Sequence, residues 1–327
     1  MEWKFKALTD IWTGDIEGKY ERLIPTGLMG SIRWWFEVLV RGLGGKACDP
    51  TSPERCPDHN KKPTEPGHRC VVCELFGCTG WARKFRLMIL DSRGNVIQGQ
   101  IKANTEFTLR FIPLRPIRDE EWCLLDMTLR LIANYGAIGG KTVFKPSDEP
   151  GRQNAFHHMD FGLIDYISGS SVCCSKEKLA VLKYYVDPKQ WRHDFSDAPF
   201  SWASLQNFWC VKGRHLARKN ANESTFNKVI GRKQPKNKAQ ELEQDNDINR
   251  WLAGRQQESK KVFSFKHPEE GRRTFGFVKP PTVDFEKIKT RLGNVWTGFN
   301  SNNEFKDGRV ILDELCRQKD SPHGGTP

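Results

Sequence analysis

Between Thr26 and Gly42 (TGLMGSIRWWFEVLVRG) apolar residues return at Leu28, Ile32, Trp35, Phe36 and Leu39. That is the spacing of a helix that lays one stripe on a sheet. Arg33, Glu37 and Arg41 make a separate polar row on the same helix, and Trp34 sits off both. Pro25 and Thr26 mark its start, and Gly27, Gly30 and Ser31 leave backbone N–H groups open to an anion at its first turn. Upstream, Trp3, Phe5 and Ala7 alternate with Lys4, Lys6 and Leu8, which predicts a strand ending near Thr9. Trp34 has two expected fates, packing on the cysteine-rich loop that follows or stacking on a base.

Downstream, WARKFRLMILDSRGN (81–95) reads as a strand closed by a turn, and 104–111 as another alternating strand. Residues 119–134 form an expected helix capped by Asp119, with Trp122, Leu125, Leu129 and Ile132 on one face. A last strand near 161–166 completes β-α-β-β-α-β, the ferredoxin-like unit. Its sheet has helices on one face and leaves the other free, the face that RRM-type modules turn to RNA. Such sheets host many unrelated functions, so the fold alone assigns none.

Beyond about residue 170 the pattern weakens. Helices are expected over 176–186, 202–217, 226–231, 284–292 and 310–317, with a polar, solvated stretch at 234–249. Phe263 and Phe265, then Phe275 and Phe277, flank HPEEGRRT and predict a hairpin with Arg272 and Arg273 near its turn. The reading is therefore α+β, with a first domain over 1–170, interrupted by an insertion at 43–73, and a second, degenerate one over 171–327.

Charge sharpens this picture. The 327 residues carry 52 Lys+Arg against 40 Asp+Glu, a net +12, compatible with a polyanionic partner. Residues 1–170 hold 23 basic and 21 acidic side chains, so most of the excess lies further on, densest at Lys212–Lys238. There Arg214 and Arg218 stand at helical spacing, fit to line a phosphate track. No apolar run nears the roughly 20 residues of a membrane span, and no signal-peptide pattern opens the chain. The expectation is a cytoplasmic protein with no membrane partner.

In that compartment ten cysteines read as thiols or metal ligands. Cys48, Cys56, Cys70 and Cys73 fall in or beside a proline-rich loop, with Cys70-Val-Val-Cys73 a true knuckle. His59 and His68 are alternative ligands. Four such donors suit a structural Zn2+ site, and a loop without a core gains stability by closing on a metal. Tyr135-Gly-Ala-Ile-Gly-Gly-Lys141 is a glycine-rich loop after a helix. It fails the P-loop pattern, so no nucleotide cofactor is expected. What remains is backbone able to approach a polyanion, continued by Lys145, Arg152, His157 and His158, or else a helix C-cap at Gly136 followed by surface loop.

TDIWTGD, PTGLMGSIRWWFEVLVRG, CELFGCTG, YGAIGGK and the delayed Phe161-Gly162 together resemble the RAMP superfamily of CRISPR proteins. More narrowly they resemble the family of first RAMP subunits of the Cmr (type III-B) RNA-targeting effector complex. The resemblance covers about residues 1–165, and the arginine–tryptophan helix followed by ELFG is its most specific part. It implies two ferredoxin-like domains, binding of guide and target RNA near the guide 3′ end, and assembly with other RAMP subunits without catalysis. Carried onto this sequence, the candidate RNA contacts are Gly30, Ser31, Arg33, Thr79, Gly139, Gly140 and Lys141. Lys145 and Arg152 stand in for a loop that TVFKPSDEPGRQNAFHHMD interrupts, and the residue reading adds His157 from that loop and Arg272 and Arg273 from the hairpin. The competing expectation is a metal-independent endoribonuclease using His157 or His158 with Lys141.

Overall fold

The structure is a computed structural model that describes residues 1–14, 19, 21–140, 146–152, 155–170, 176–194, 200–234, 241–255 and 258–317. Strand β1 (Glu2–Ala7) leads to helix α1 (Pro25–Gly42), a short helix α2 (Val71–Phe76), strands β2 (Phe85–Leu90) and β3 (Glu106–Pro113), helix α3 (Asp119–Tyr135) and strand β4 (Ile164–Gly169). The sheet order is β2-β3-β1-β4, with every neighbouring pair antiparallel, the ferredoxin-like arrangement. Trp3, Phe5, Phe107, Leu109 and Phe111 point inward onto α1 and α3, as the alternation requires. One detail differs from expectation at α3. Asp119 is its first residue, and the cap is completed by Glu121, whose carboxylate accepts the Arg118 backbone N–H at 2.8 Å.

A second βαββαβ unit follows. After α4 (Lys176–Tyr185) come β5 (Phe208–Lys212), α5 (Thr225–Ile230), α6 (Asp247–Ala253), β6 (Val262–Phe265), β7 (Arg273–Phe277), α7 (Phe285–Gly293), α8 (Ser301–Glu304), β8 (Phe305–Asp307) and α9 (Gly308–Arg317). Its order, β6-β7-β5-β8, repeats that of the first sheet. The helix expected over 202–217 is replaced by a single 3-10 turn at 205–207 and β5. Phe208 and Cys210 on one face and Trp209 and Val211 on the other are all buried. A strand covered on both sides loses its alternation and resembles a buried helix segment in sequence.

The cover comes from the first unit. Trp35 of α1 meets Phe208 and Phe275 edge-on, with ring centroids at 5.6 and 5.9 Å, and Trp34 meets Phe277 at 5.6 Å. Neither expected fate of Trp34 is observed, because the second sheet lies against α1. At the C-terminal end of α1 a Cβ on Gly42 would stand 2.4 Å from Leu205 Cβ, so only glycine permits this approach. One continuous hydrophobic core therefore runs from Trp3 to Leu315. A second cluster, around Trp209, Phe226, Val262 and Ile288, fills the space between the second sheet and its own helices. No helix among the described residues is long and apolar enough to cross a membrane.

Candidate nucleic-acid interface and metal centre

The first turn of α1 is met by two loops. Thr13 Oγ1 accepts the Ile24 backbone N–H at 2.8 Å, so the Trp12–Thr13 segment docks on the helix start. The Gly139 N–H donates to Ser31 Oγ at 3.0 Å, and the Gly140 N–H to the Trp12 carbonyl at 2.8 Å. The glycine-rich loop and the helix start thus form one edge. Gly139 has φ +114°, and a Cβ there would lie 2.5 Å from the Trp12 oxygen. Glycine is required by conformation and by space. Gly30, by contrast, faces solvent with nothing within 4 Å of a built Cβ.

Trp12 fixes the third side of this edge, its ring 5.0 Å from Phe156 and 5.4 Å from Phe161. The turn 156–158 is thereby held beside the glycine loop, with His157 exposed and its ring centroid 4.1 Å from that of His158. Sequence reasoning missed Trp12 and Thr13. Their signal was an aromatic residue inside an otherwise turn-rich polar loop. Lys141 and Lys145 lie outside the described residues.

Other candidate contacts are held differently. Arg33 donates to Glu37 Oε1 at 3.0 Å, to the Gly77 carbonyl at 3.1 Å and to Cys73 Sγ at 3.3 Å. Its guanidinium is turned away from the helix start and toward the cysteines. Arg41 donates to the Ala203 and Ala47 carbonyls, so the polar row of α1 is internal. Thr79 is exposed at the tip of the Cys78–Trp81 turn. Arg152 pairs with Glu149 at 3.6 Å, and Arg218 with the same carboxylate at 3.1 Å. Arg214 pairs with Glu304. The phosphate track expected of Arg214 and Arg218 is thus closed by carboxylates, and the two stand on loop, not helix.

Arg272 pairs with Glu269 at 3.3 Å. Arg273 is buried and donates to the Ala133 and Gly136 carbonyls at 2.7 and 3.3 Å, where α3 ends. It satisfies carbonyls that a helix terminus leaves open, across the boundary between the two units. Also across this boundary, Asp160 accepts the backbone N–H groups of Lys266 and His267 at 2.8 and 2.9 Å. Burial pushes the Asp160 carboxyl up to about 6, against the pull of those two donors and the Lys266 charge.

The outward positions of the first sheet also depart from an RRM-type surface. Lys4, Lys6, Arg86, Thr108, Arg110 and Asp165 occupy it, with Lys4–Glu106 and Arg110–Glu2 paired at 2.6 Å. Among the described residues no aromatic side chain of these strands faces outward, so the stacking platform of an RRM is missing.

Cys48, Cys56, Cys70 and Cys73 are buried, and their four sulfurs lie within 4.8 Å of one another. Cys48 Sγ is 3.5 Å from Cys73 Sγ and 3.9 Å from Cys70 Sγ. Metal–sulfur bonds of zinc length would separate tetrahedral ligands by about 3.8 Å. The knuckle arises because Cys70 caps α2: its sulfur accepts the Cys73 N–H at 3.5 Å, and Cys56 Sγ accepts the Cys70 N–H at 3.2 Å. The cluster is able to hold a metal ion, and Arg33 places a positive charge beside its sulfurs. His59 is exposed and His68 is bonded within its own turn, and neither joins the group.

Residues 4–144 match the family model for RAMPs, the RAMP superfamily. The crystal structure of Cmr1 from Pyrococcus furiosus in its apo form is similar over 96% of this chain and 95% of its own, at 11% identity and a TM-score of 0.43. No curated protein matches at a significant level.

Proposed function

We propose that this chain, whose residues 4–144 match the RAMP superfamily model, is a RAMP protein and a non-catalytic RNA-binding subunit of a CRISPR type III-B (Cmr) effector. In this reading it contacts guide or target RNA near the guide 3′ end and assembles with other RAMP subunits. The observation that carries the reading is the edge made by Gly30, Ser31, Gly139, Gly140 and His157, where close-approaching backbone meets the start of α1. The Gly139 and Gly140 N–H groups are held by Ser31 and Trp12, and the positive end of the α1 dipole with the open surface at Gly30 suits phosphates irrespective of base, which is what a guide-RNA subunit needs. The net charge of +12 favours the same partner.

Arg33 and Arg273 leave the proposed contact set, because their guanidinium groups are committed to Cys73 and to the end of α3. Lys141, Lys145, Arg152, Thr79 and Arg272 remain proposed contacts. The cysteine cluster is proposed to hold Zn2+ through Cys48, Cys56, Cys70 and Cys73. With all four positions filled by thiolates such an ion closes the inserted loop and leaves no position for a substrate.

Gly30→Glu tests the surface directly. It adds a carboxylate where nothing crowds it and raises helix propensity, so folding is preserved. RNA affinity at low salt is expected to fall about tenfold, measured by filter binding with and without partner subunits. Unchanged affinity would sink the proposed surface. Labelled RNA is expected to stay intact, and cleavage lost in His157→Ala/His158→Ala would establish the endoribonuclease instead.

A further inference from the structure

The second unit holds a cavity of about 1010 Å³. Arg232, Arg250, Arg255, Lys260 and Lys279 line it against Asp247 and Glu258, with Trp251 in its wall. Two of the arginines are neutralised at the rim: Arg250 by Asp245 and Asp247, and Arg255 by Glu258. Lys260 and Lys279 differ, because among the described residues no carboxylate lies within ion-pair distance of either. Lys260 is half-buried beside the Arg232 guanidinium, which is itself anchored by the Ala253 and Gly254 carbonyls. The ammonium stands 5.6 Å from the Phe226 ring centroid. Burial and the neighbouring Arg232 charge hold the Lys260 ammonium below its ordinary range.

Lys260 and Lys279 bring two positive charges to the lining of one cavity, and with no carboxylate beside them among the described residues they favour an anion there. Trp251 supplies the second half of the argument. Lys261 and Trp202 pack against its ring at 5.5 and 6.1 Å, which fixes the indole, while its remaining surface lines the cavity. A fixed aromatic ring next to uncompensated cations is the combination that holds single-stranded nucleic acid, phosphate on the charges and base on the ring. We infer that this cavity is a second RNA contact, taking a short single-stranded segment with phosphates at Lys260 and Lys279 and a base against Trp251. The inference rests on the RNA-binding reading and adds a site remote from the Ser31–Gly139 edge in sequence and in fold. Together the two would make the chain a two-point clamp on one strand.

The probe is a labelled octauridine containing 4-thiouridine, titrated into the full chain and then photocrosslinked. Expected is a crosslinked peptide containing Trp251. Lys260→Glu/Lys279→Glu is expected to weaken binding about tenfold and to lower the salt slope by about 1.4, two phosphate contacts' worth for a single strand. Should the double variant fold poorly by circular dichroism, the exposed Lys279→Glu alone is expected to lower the slope by about 0.7. Octauridine that binds unchanged and crosslinks only around residues 26–33 or 139–158 overturns the second site and leaves the first standing. A chain with no affinity for octauridine or longer RNA overturns both.

Discussion

On the first sheet Lys4, Lys6, Thr108 and Arg110 face away from the helices, Lys4 and Arg110 paired with carboxylates, while Trp3, Phe5 and Phe107 face the helices. On the second sheet every residue of β7 is buried, and so are four of five in β5. The topology is identical, and the environment is opposite. α1 and α3 serve two sheets at once, packing their apolar stripes on the first and Trp34, Trp35 and the end of α3 on the second. The second sheet thereby gives up the free face that a ferredoxin-like module offers to ligands. The first keeps its free face but lines it with ion pairs. Among the described residues neither sheet presents an aromatic platform, and the anion-accessible places are edges: the start of α1 on the first unit, a cationic cavity on the second.

The sharpest difference between the units is what holds their inserted segments. The loop carrying Cys48 and Cys56 has the cysteine sulfurs at its centre, whereas the second unit relies on ring packing. Cys70→Ser/Cys73→Ser is expected to cost on the order of 4 kcal/mol, about 10 °C in Tm, and to abolish the metal measured by elemental analysis of wild type. Wild-type protein without metal would dismiss the zinc assignment.

The shared role of α1 is tested next. Trp35→Ala removes a ring buried between both sheets and should cost about 3–4 kcal/mol in denaturant unfolding. Lys4→Ala on the open face should cost less than about 0.5 kcal/mol. Equal costs would contradict the one-sided burial of the first sheet.

Asp160 gives the smallest and most selective probe of the boundary. Its carboxyl, raised to about 6 by burial, binds its proton more tightly in the folded chain than in the unfolded one. Its contribution to stability is therefore greatest at low pH and declines as pH rises from about 4 through 6. Asp160→Asn keeps an acceptor for the Lys266 and His267 N–H groups and removes that ionisation. The variant should gain about 2 kcal/mol on wild type between pH 4.5 and pH 7.5, read as a difference in Tm. A pH-independent difference would show that the carboxyl is not held neutral by its surroundings.

Legibility followed burial. β1 and β3 alternate because only one side of each is covered, and α1 and α3 carry clean stripes, so the first unit could be read residue by residue. β5 was misread as helix because both its faces are covered, and β8 is only three residues long. The cysteine ligand set was legible from the CxxC knuckle, which brings two donors together within one turn of chain, and the tertiary structure excluded the histidines. Arg33 and Arg273 were assigned to RNA on charge and position, and sequence has no means of showing that the first guanidinium is held by Gly77 and Cys73, 44 and 40 residues on, or the second by carbonyls 140 and 137 residues back.

Local physics in the chain determined the strands and helices of the first unit, the hairpin at 262–277, the glycine positions and the thiol donors. Each depends on neighbours within a few residues. The tertiary structure decided which charges are free. Arg33, Arg41, Arg214, Arg218 and Arg273 find partners distant in sequence, while Lys260 and Lys279 line a cavity without a carboxylate among the described residues. Charge is local to a residue, but its neutralisation depends on what the fold brings alongside.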